Sequence, residues 1–305
     1  MLKDLLTKSD KKQISGHLCM LFACTCWGLM SPLGKDAMTH GVPGIEMVTL
    51  RVTGAATCFW LTSLFTRDEK VSKKDLLKLF FAAMFAIVFN QCCYTIGLSI
   101  TSPINASIIT TTLPILTMVM AAVFLHDSIT TRRLTGVLLG AFGAYTLIKG
   151  STSGSGEGVL TGDLLSFCAQ LSFAVYLTFF KPVINKYSVI TLMKWMTTFA
   201  SLVITPFSIN RMMALQWQSV STTTYLETFF VVFGGTFIAY ICSTKAQKIL
   251  HPTAIAMYNY VQPIVACAVS VIMGVGIFGT TQAIAITFVF VGVTMVNKKT
   301  KKRPS

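Results

Sequence analysis

Apolar residues fall in ten runs separated by charges, glycines and prolines, near 17–36, 44–66, 76–98, 103–125, 133–149, 162–183, 188–209, 223–244, 252–274 and 280–297. A helix of about 20 apolar residues crosses the ~30 Å hydrocarbon core of a bilayer. The pattern therefore predicts an all-α membrane protein with ten transmembrane helices and short loops, with no room for a soluble domain.

Composition agrees with lipid as the solvent. Only 25 Lys and Arg and 11 Asp and Glu are present, while 53% of residues are hydrophobic and the mean hydropathy is +0.67. A soluble core would leave too much of that surface exposed. The net charge of +14 is scattered between apolar runs and not gathered on one surface, so no nucleic-acid partner is expected. With the N-terminus inside, twenty Lys and Arg fall on inner segments. Lys35, Lys149 and Arg211 alone fall at outer ends, with Arg51 and Lys194 inside spans. That asymmetry predicts both termini in the cytoplasm and a multi-pass protein of the cell membrane. The run from Leu18 to Pro32 carries no small-residue cleavage site and reads as a retained first span. The nine cysteines all lie in apolar runs and form no disulfide framework. Cys24-x-Cys26 and Cys92-Cys93 read as small buried hydrophobes, so no metal or other cofactor is expected.

A Gly/Ser-rich stretch from Gly150 to Gly158 divides the chain into residues 1–150 and 151–305. An offset of 149 superposes Pro103 on Pro252, Pro114 on Pro263, Thr131 on Thr280, Gly143 on Gly292 and Lys149 on Lys298. Earlier in each half, an offset of 146 superposes Gly16 on Gly162 and Lys35 on Lys181. Five spans per half is odd, so the second copy enters the membrane upside down. Two inverted five-helix repeats are the layout of alternating-access carriers.

Trp27-Gly28 with Ser31-Pro32-Leu33-Gly34-Lys35, then Arg51, then a proline-containing fourth span ending in Asp127, then Gly136 to Gly143, resemble the EamA-type drug/metabolite transporter superfamily. The resemblance covers nearly the whole chain. It implies a carrier for small metabolites, often an exporter of amino acids or related compounds. Asp127 stands where the family usually has Glu.

A carrier gathers polar groups near the bilayer midplane. Counting about 1.5 Å per residue puts there Asn90, Gln91 and Tyr94 of span three, Thr110, Thr111 and Thr112 of span four, Gln170 and Tyr176 of span six, Tyr240 of span eight, and Tyr258, Asn259, Tyr260 and Gln262 of span nine. These uncharged groups suit a polar or zwitterionic solute, although each could instead bond a neighbouring helix. Trp27 either walls the cavity or packs. Pro114 and Pro263 each free the carbonyl four residues earlier, on Thr110 and Asn259, which lipid tolerates only beside protein or a wet cavity. Arg51 and Lys194 are possible anion contacts, or snorkel to the interfaces. Gly136, Gly140 and Gly143 on span five, with Ala285 and Gly292 on span ten, predict close helix packing, as scaffold or as a homodimer contact.

The leading expectation is therefore efflux of an amino-acid-like metabolite through a central cavity. The alternative is an anion exchanger for phosphorylated or nucleotide-linked compounds that uses Arg51 and Lys194 together. Catalysis is not expected, because H-E-x-x-H, G-x-S-x-G and deep paired carboxylates are all missing. No midplane carboxylate is available to carry protons, which predicts a facilitator or exchanger, or a coupling site outside the central cavity.

Overall fold

The computed structural model describes residues 8–67, 69–100, 109–150, 160–272 and 279–297, and no strand occurs among them. The helices are α1 (Lys8–Thr39), α2 (Gly44–Ser63), α3 (Lys73–Ala83), α4 (Asn90–Ile100), α5 (Leu113–Phe124), α6 (Thr131–Gly150), α7 (Leu160–Phe179), α8 (Lys181–Lys186), α9 (Val189–Ala214), α10 (Thr222–Phe229), α11 (Ala239–Ile249), α12 (Pro252–Met257), α13 (Val261–Ile272) and α14 (Thr280–Asn297). Pro103, the linker residues after Gly150 and the C-terminal basic cluster lie outside the described residues.

Local chemistry sets the helix starts. The Ser72, Ser188 and Ser221 hydroxyls accept the backbone N–H three residues on, at 3.2, 3.2 and 3.1 Å, capping α3, α9 and α10. Between α1 and α2 the chain reverses at Gly41, whose φ of +123° suits glycine.

Five helical stretches are long and apolar enough to cross a bilayer: Asp10–Thr39, Lys73–Gly97, Leu160–Phe179, Val189–Ala214 and Thr222–Ile249. Shorter apolar helices cover Leu113–Phe124 and Ala283–Val296. Side chains are distributed inside out. Phe207 is 82% exposed, and Leu202, Leu226 and Phe229 also face outward, whereas Thr49, Arg51, Gln170, Thr236 and Gln247 are buried. This is an all-α integral membrane protein that crosses the bilayer several times, since water would not tolerate such an apolar exterior.

Two features depart from the uninterrupted spans that the apolar runs suggest. First, α3 passes into α4 through a π-helical stretch, Met84–Phe89, and α10 passes into α11 through another, Phe230–Ile238. Second, the proline segments break outright. Thr111 and Thr112 form a turn before α5, with Pro114 in its first turn, and Tyr258–Tyr260 narrows to a 3-10 turn between α12 and α13, just before Pro263. The Tyr260 hydroxyl lies 3.2 Å from both the Thr111 carbonyl beside this break and the Val137 carbonyl of α6, and donates to them.

Helix pairs that bridge the two halves dominate the packing: α6 with α14, α2 with α9, α4 with α7, and α1 with α11. The α6–α14 contact is intramolecular and depends on small residues. A Cβ on Gly136 would lie 2.9 Å from the Gly292 carbonyl oxygen, and one on Gly143 would lie 2.6 Å from that of Ala285. Gly140 serves two contacts, since its backbone nitrogen would lie 2.8 Å from a Cβ on Gly292 and the ring of Tyr260 fills the space where its own Cβ would stand.

Candidate functional site

The helix breaks and wide turns surround a cavity of about 130 Å³ between the two halves. At about 10–15 Å³ of such volume per water, it holds on the order of ten waters or a compact organic solute. From the first half, α1 contributes Trp27 and Met30, α2 contributes Arg51, the π-helical stretch contributes Ala86, α4 contributes Asn90, Gln91 and Tyr94, and the residue just ahead of the turn before α5 is Thr110. The second half contributes Gln170 and Phe173 from α7, Tyr240 from α11, Asn259 from the 3-10 turn and Gln262 from α13.

The π-helical stretches explain why these side chains hold still. A widened turn releases carbonyls from the regular ladder, and polar side chains from the other half take them up. Trp27 Nε1 donates to the Gly235 carbonyl at 3.0 Å, and Ser172 Oγ donates to that of Phe85 at 2.7 Å. The Thr236 hydroxyl turns back to the Val231 carbonyl at 2.8 Å, which leaves its oxygen to accept Arg51 Nε at 2.9 Å. Asn90 Nδ2 donates to the Ala169 carbonyl at 2.9 Å, and Gln262 Nε2 donates to Asn259 Oδ1 at 3.1 Å.

Among the described lining residues, Arg51 is the one that is charged. It is 7% exposed, and besides Thr236 it gives Nη1 to Gln91 Oε1 at 2.7 Å. Gln91 Nε2 in turn donates to the Tyr240 hydroxyl at 3.5 Å. The remaining nitrogen of the guanidinium, Nη2, is buried without a hydrogen-bond partner. Snorkelling to the interface, one of the two readings of this residue, does not occur.

Of the sequence-derived candidates, Trp27, Asn90, Gln91, Tyr94, Thr110, Gln170, Tyr240, Asn259 and Gln262 meet Arg51 in this cavity. Tyr176 lies in a smaller chamber that adjoins it, sharing Trp27, Ala86, Phe173 and Tyr240 and reaching Gln247. Thr111 is buried beside the cavity and lends its carbonyl to Tyr260. Tyr258 turns away and pairs its hydroxyl with His17 Nδ1 at 2.8 Å. Lys194 requires a correction. It is 8% exposed, but its ammonium sits over the Trp60 indole, 4.6 Å from the ring centre, because α9 packs along α2 and that face looks away from the cavity. The two-cation anion site therefore does not form.

Met30, Ala86 and Phe173 were missed. The 146-residue offset could have found Phe173, which it pairs with Trp27. Met30 and Ala86 carry no polar signal.

At the end of the bundle where α2, α7 and α11 finish, Asp75 pairs with Lys186 and accepts the Tyr187 hydroxyl at 2.7 Å, while Lys248 donates to the Tyr187 carbonyl. Nearby, Asp127 approaches His251 Nε2 at 2.5 Å.

An uncharacterized transporter of Archaeoglobus fulgidus is 24% identical over 71% of this chain and 76% of its own length. The uncharacterized transporter YetK of Bacillus subtilis is 23% identical over 95% of this chain and 89% of its own. A Rickettsia prowazekii protein named as an S-adenosylmethionine uptake transporter is 24% identical over 59% of this chain and 58% of its own. One crystal structure superposes with a TM-score of 0.77 over 93% of this chain and 96% of that one at 14% identity, a likeness of fold alone. The profile of the EamA-like transporter family matches residues 14–149 and 160–298, and the chain belongs to that family.

Proposed function

We propose that this protein is an alternating-access carrier that moves a small polar or zwitterionic, amino-acid-like metabolite across the cell membrane. In this reading the two inverted five-helix repeats, residues 1–150 and 151–305, cross the bilayer ten times with both termini in the cytoplasm. The observation that carries the proposal is the cavity itself, where both halves contribute amides and hydroxyls around one shared volume.

Support for the repeat comes from reciprocity. A two-fold axis between halves makes every contact appear twice with its members exchanged. Gly136 packs on Gly292, and Gly143 on Ala285, which are each other's counterparts at an offset of 149. Pairs on the axis would meet their own counterparts. Gln91 with Tyr240, and Tyr260 with Thr111, are both separated by 149 residues and both hydrogen-bonded. The two offsets also find an explanation. The π-helical stretches begin 146 residues apart, at Met84 and Phe230, and end 149 apart, at Phe89 and Ile238. Three additional residues in the second copy are absorbed as wider turns.

The relative named as an S-adenosylmethionine uptake transporter fits this substrate class, since that compound has an amino-acid end. No acidic residue is among the described lining, so the solute moves down its own gradient or in exchange, outward when it is made in the cell. The Asp75–Lys186–Tyr187 cluster then closes the cytoplasmic end, and opening it accompanies release on that side.

Reconstitution into liposomes tests the proposal. Vesicles are loaded with a mixture of amino acids, polyamines, sugars and phosphorylated metabolites, and release is read by mass spectrometry. The expected result is selective loss of polar, uncharged or zwitterionic solutes, unaffected by a proton ionophore at fixed membrane potential, and abolished by Asn90→Leu with Gln262→Leu. Release no faster than from protein-free vesicles would refute the carrier.

A further inference from the structure

The cavity has an electrostatic asymmetry that its neutral polar lining does not explain. Arg51 is buried, holds two of its donors on Thr236 and Gln91, and keeps Nη2 without a partner. Among the described residues, no carboxylate pairs with it and none lines the cavity. A buried cation left unpaired is costly. Nη2 itself is shielded, but the Arg51 side chain lines the cavity, so an anion held there is the group that offsets its charge. The Tyr240 hydroxyl accepts from Gln91 and so has its own hydrogen to donate, and it opens on the same space. The same lining also carries the apolar side chains of Trp27, Met30 and Phe173.

We propose that Arg51, seconded by Tyr240, anchors one carboxylate of the transported solute, and that the carrier selects monocarboxylates with an apolar side group. This rests on the carrier reading and names its substrate class. An arginine fork and a phenol are matched donors for the two oxygens of a carboxylate. A phosphomonoester or dicarboxylate brings a second charge, and the other deep cation, Lys194, is committed to Trp60 outside the cavity. A carboxamide is rejected because its NH2 would face donors, the penalty that makes such sites selective. The neutral amides of Gln170, Asn259 and Gln262 remain to accept an ammonium where the solute has one.

The inference is tested on the purified full-length protein in lipid nanodiscs by isothermal titration with matched probes. These are L-leucine and L-leucinamide, L-phenylalanine and L-phenylalaninamide, benzoate and benzamide, with phenyl phosphate and phenethylamine as charge controls. The expected result is binding of one or more acids at least tenfold tighter than the matching amide and tighter than phenyl phosphate or the amine. Arg51→Gln should collapse that acid-to-amide ratio to about one, and Tyr240→Phe should reduce it about threefold. A purely structural role for Arg51 predicts instead that Arg51→Gln weakens acid and amide equally, with the ratio unchanged, which would overturn the proposal. Should Arg51→Gln fail to fold, Arg51→Lys keeps the charge without the fork, and a preserved but smaller ratio supports the anchor while an unchanged one refutes it. Tighter binding of phenyl phosphate, of the amides or of the amine, or no binding by any probe, also overturns the carboxylate anchor. In each of these cases, selective release in the liposome experiment leaves the carrier standing, and absence of release removes both.

Discussion

Adding one methyl group at two different glycines separates the packing argument from helix propensity. At Gly143, on α6, a Cβ would lie 2.6 Å from the Ala285 carbonyl oxygen, 3.0 Å from Phe288 Cβ and 3.0 Å from the Val289 nitrogen of α14. Two of these are backbone atoms and the third is a Cβ, so no flexible side-chain end can yield, and the helices must part by about 1 Å to reach ordinary contact. At Gly34, inside α1, the nearest atom is Val231 Cγ2 at 3.6 Å, which is already ordinary contact. Both substitutions gain the same helix propensity, about 1 kcal/mol, so their difference isolates the steric cost, about 1–3 kcal/mol for an overpacked interface. In a chain of this size that corresponds to a gap in Tm of about 2–9 °C. A thiol-reactive dye is a suitable reporter because Cys24 and Cys26 are buried until unfolding. Equal scan rates keep irreversible melts comparable. Gly34→Ala should melt at or above the parent, and Gly143→Ala below it. A Gly143→Ala protein as stable as Gly34→Ala would show that α6 and α14 do not cross on their small residues.

Three other perturbations follow from the same geometry. Lys194→Met should leave solute release unchanged while lowering stability by about 0.5–2 kcal/mol through loss of the cation–π contact, and altered solute selectivity would contradict its position over Trp60. Tyr260→Phe should cost about 0.5–1.5 kcal/mol in the same melting assay, because the hydroxyl's hydrogen bonds to the Thr111 and Val137 carbonyls are lost. For Glu69, in the loop before α3, burial pushes the carboxyl pKa upward. The Ser188 backbone N–H at 2.7 Å, the Thr191 and Ser188 hydroxyls and the Lys248 charge outweigh that burial and hold it below its ordinary value. A carboxylate with a depressed folded-state pKa contributes stability that is present above its unfolded pKa, about 4.3, and is lost as pH falls through the folded value. Melting curves from pH 7 downward should therefore fall less steeply below about pH 4.3 for Glu69→Gln than for the parent, and parallel curves would exclude the contribution.

Much of the site was legible because membrane helices make polar residues conspicuous. Asn90, Gln91, Gln170 and Asn259 had to find partners or water, and counting depth along each run brought them to one level. Depth alone carries no azimuth, which is why Tyr258 and Lys194, each deep or nearly so, turn out to face His17 and Trp60. Arg51 was ambiguous for the same reason, and its direction is set by Thr236, whose hydroxyl faces it only because a π-helical turn rotates that part of the helix. No residue in Phe230–Ile238 announces such a turn, although in the proposed repeat the jump from 146 to 149 between the two offsets marks where three residues are accommodated. The break before α5 was visible as Pro114, but its repair by Tyr260 joins residues 149 apart and is not a local signal.

The offsets also separate what the two halves share from what one half adds. Trp27 answers to Phe173, Gln91 to Tyr240 and Thr110 to Asn259, and all six line the cavity. Arg51 answers at 146 to Thr197, whose hydroxyl is buried and donates at 2.7 Å to the Met193 carbonyl of its own helix. The framework is thus nearly even-handed while its charge is one-sided. A solute with identical ends would gain nothing from that arrangement, whereas a solute with one ionised end and one apolar end is held in a single orientation. Because the proposed two-fold axis lies in the membrane plane, exchanging the open side does not exchange Arg51 for an equivalent on the other half. The same residue must hold the charged end in both the outward-facing and the inward-facing state. Substitution of Arg51 should consequently weaken binding from both faces of the membrane by the same factor, and a variant impaired from one face alone would place the charged end on a different residue in the opposite state.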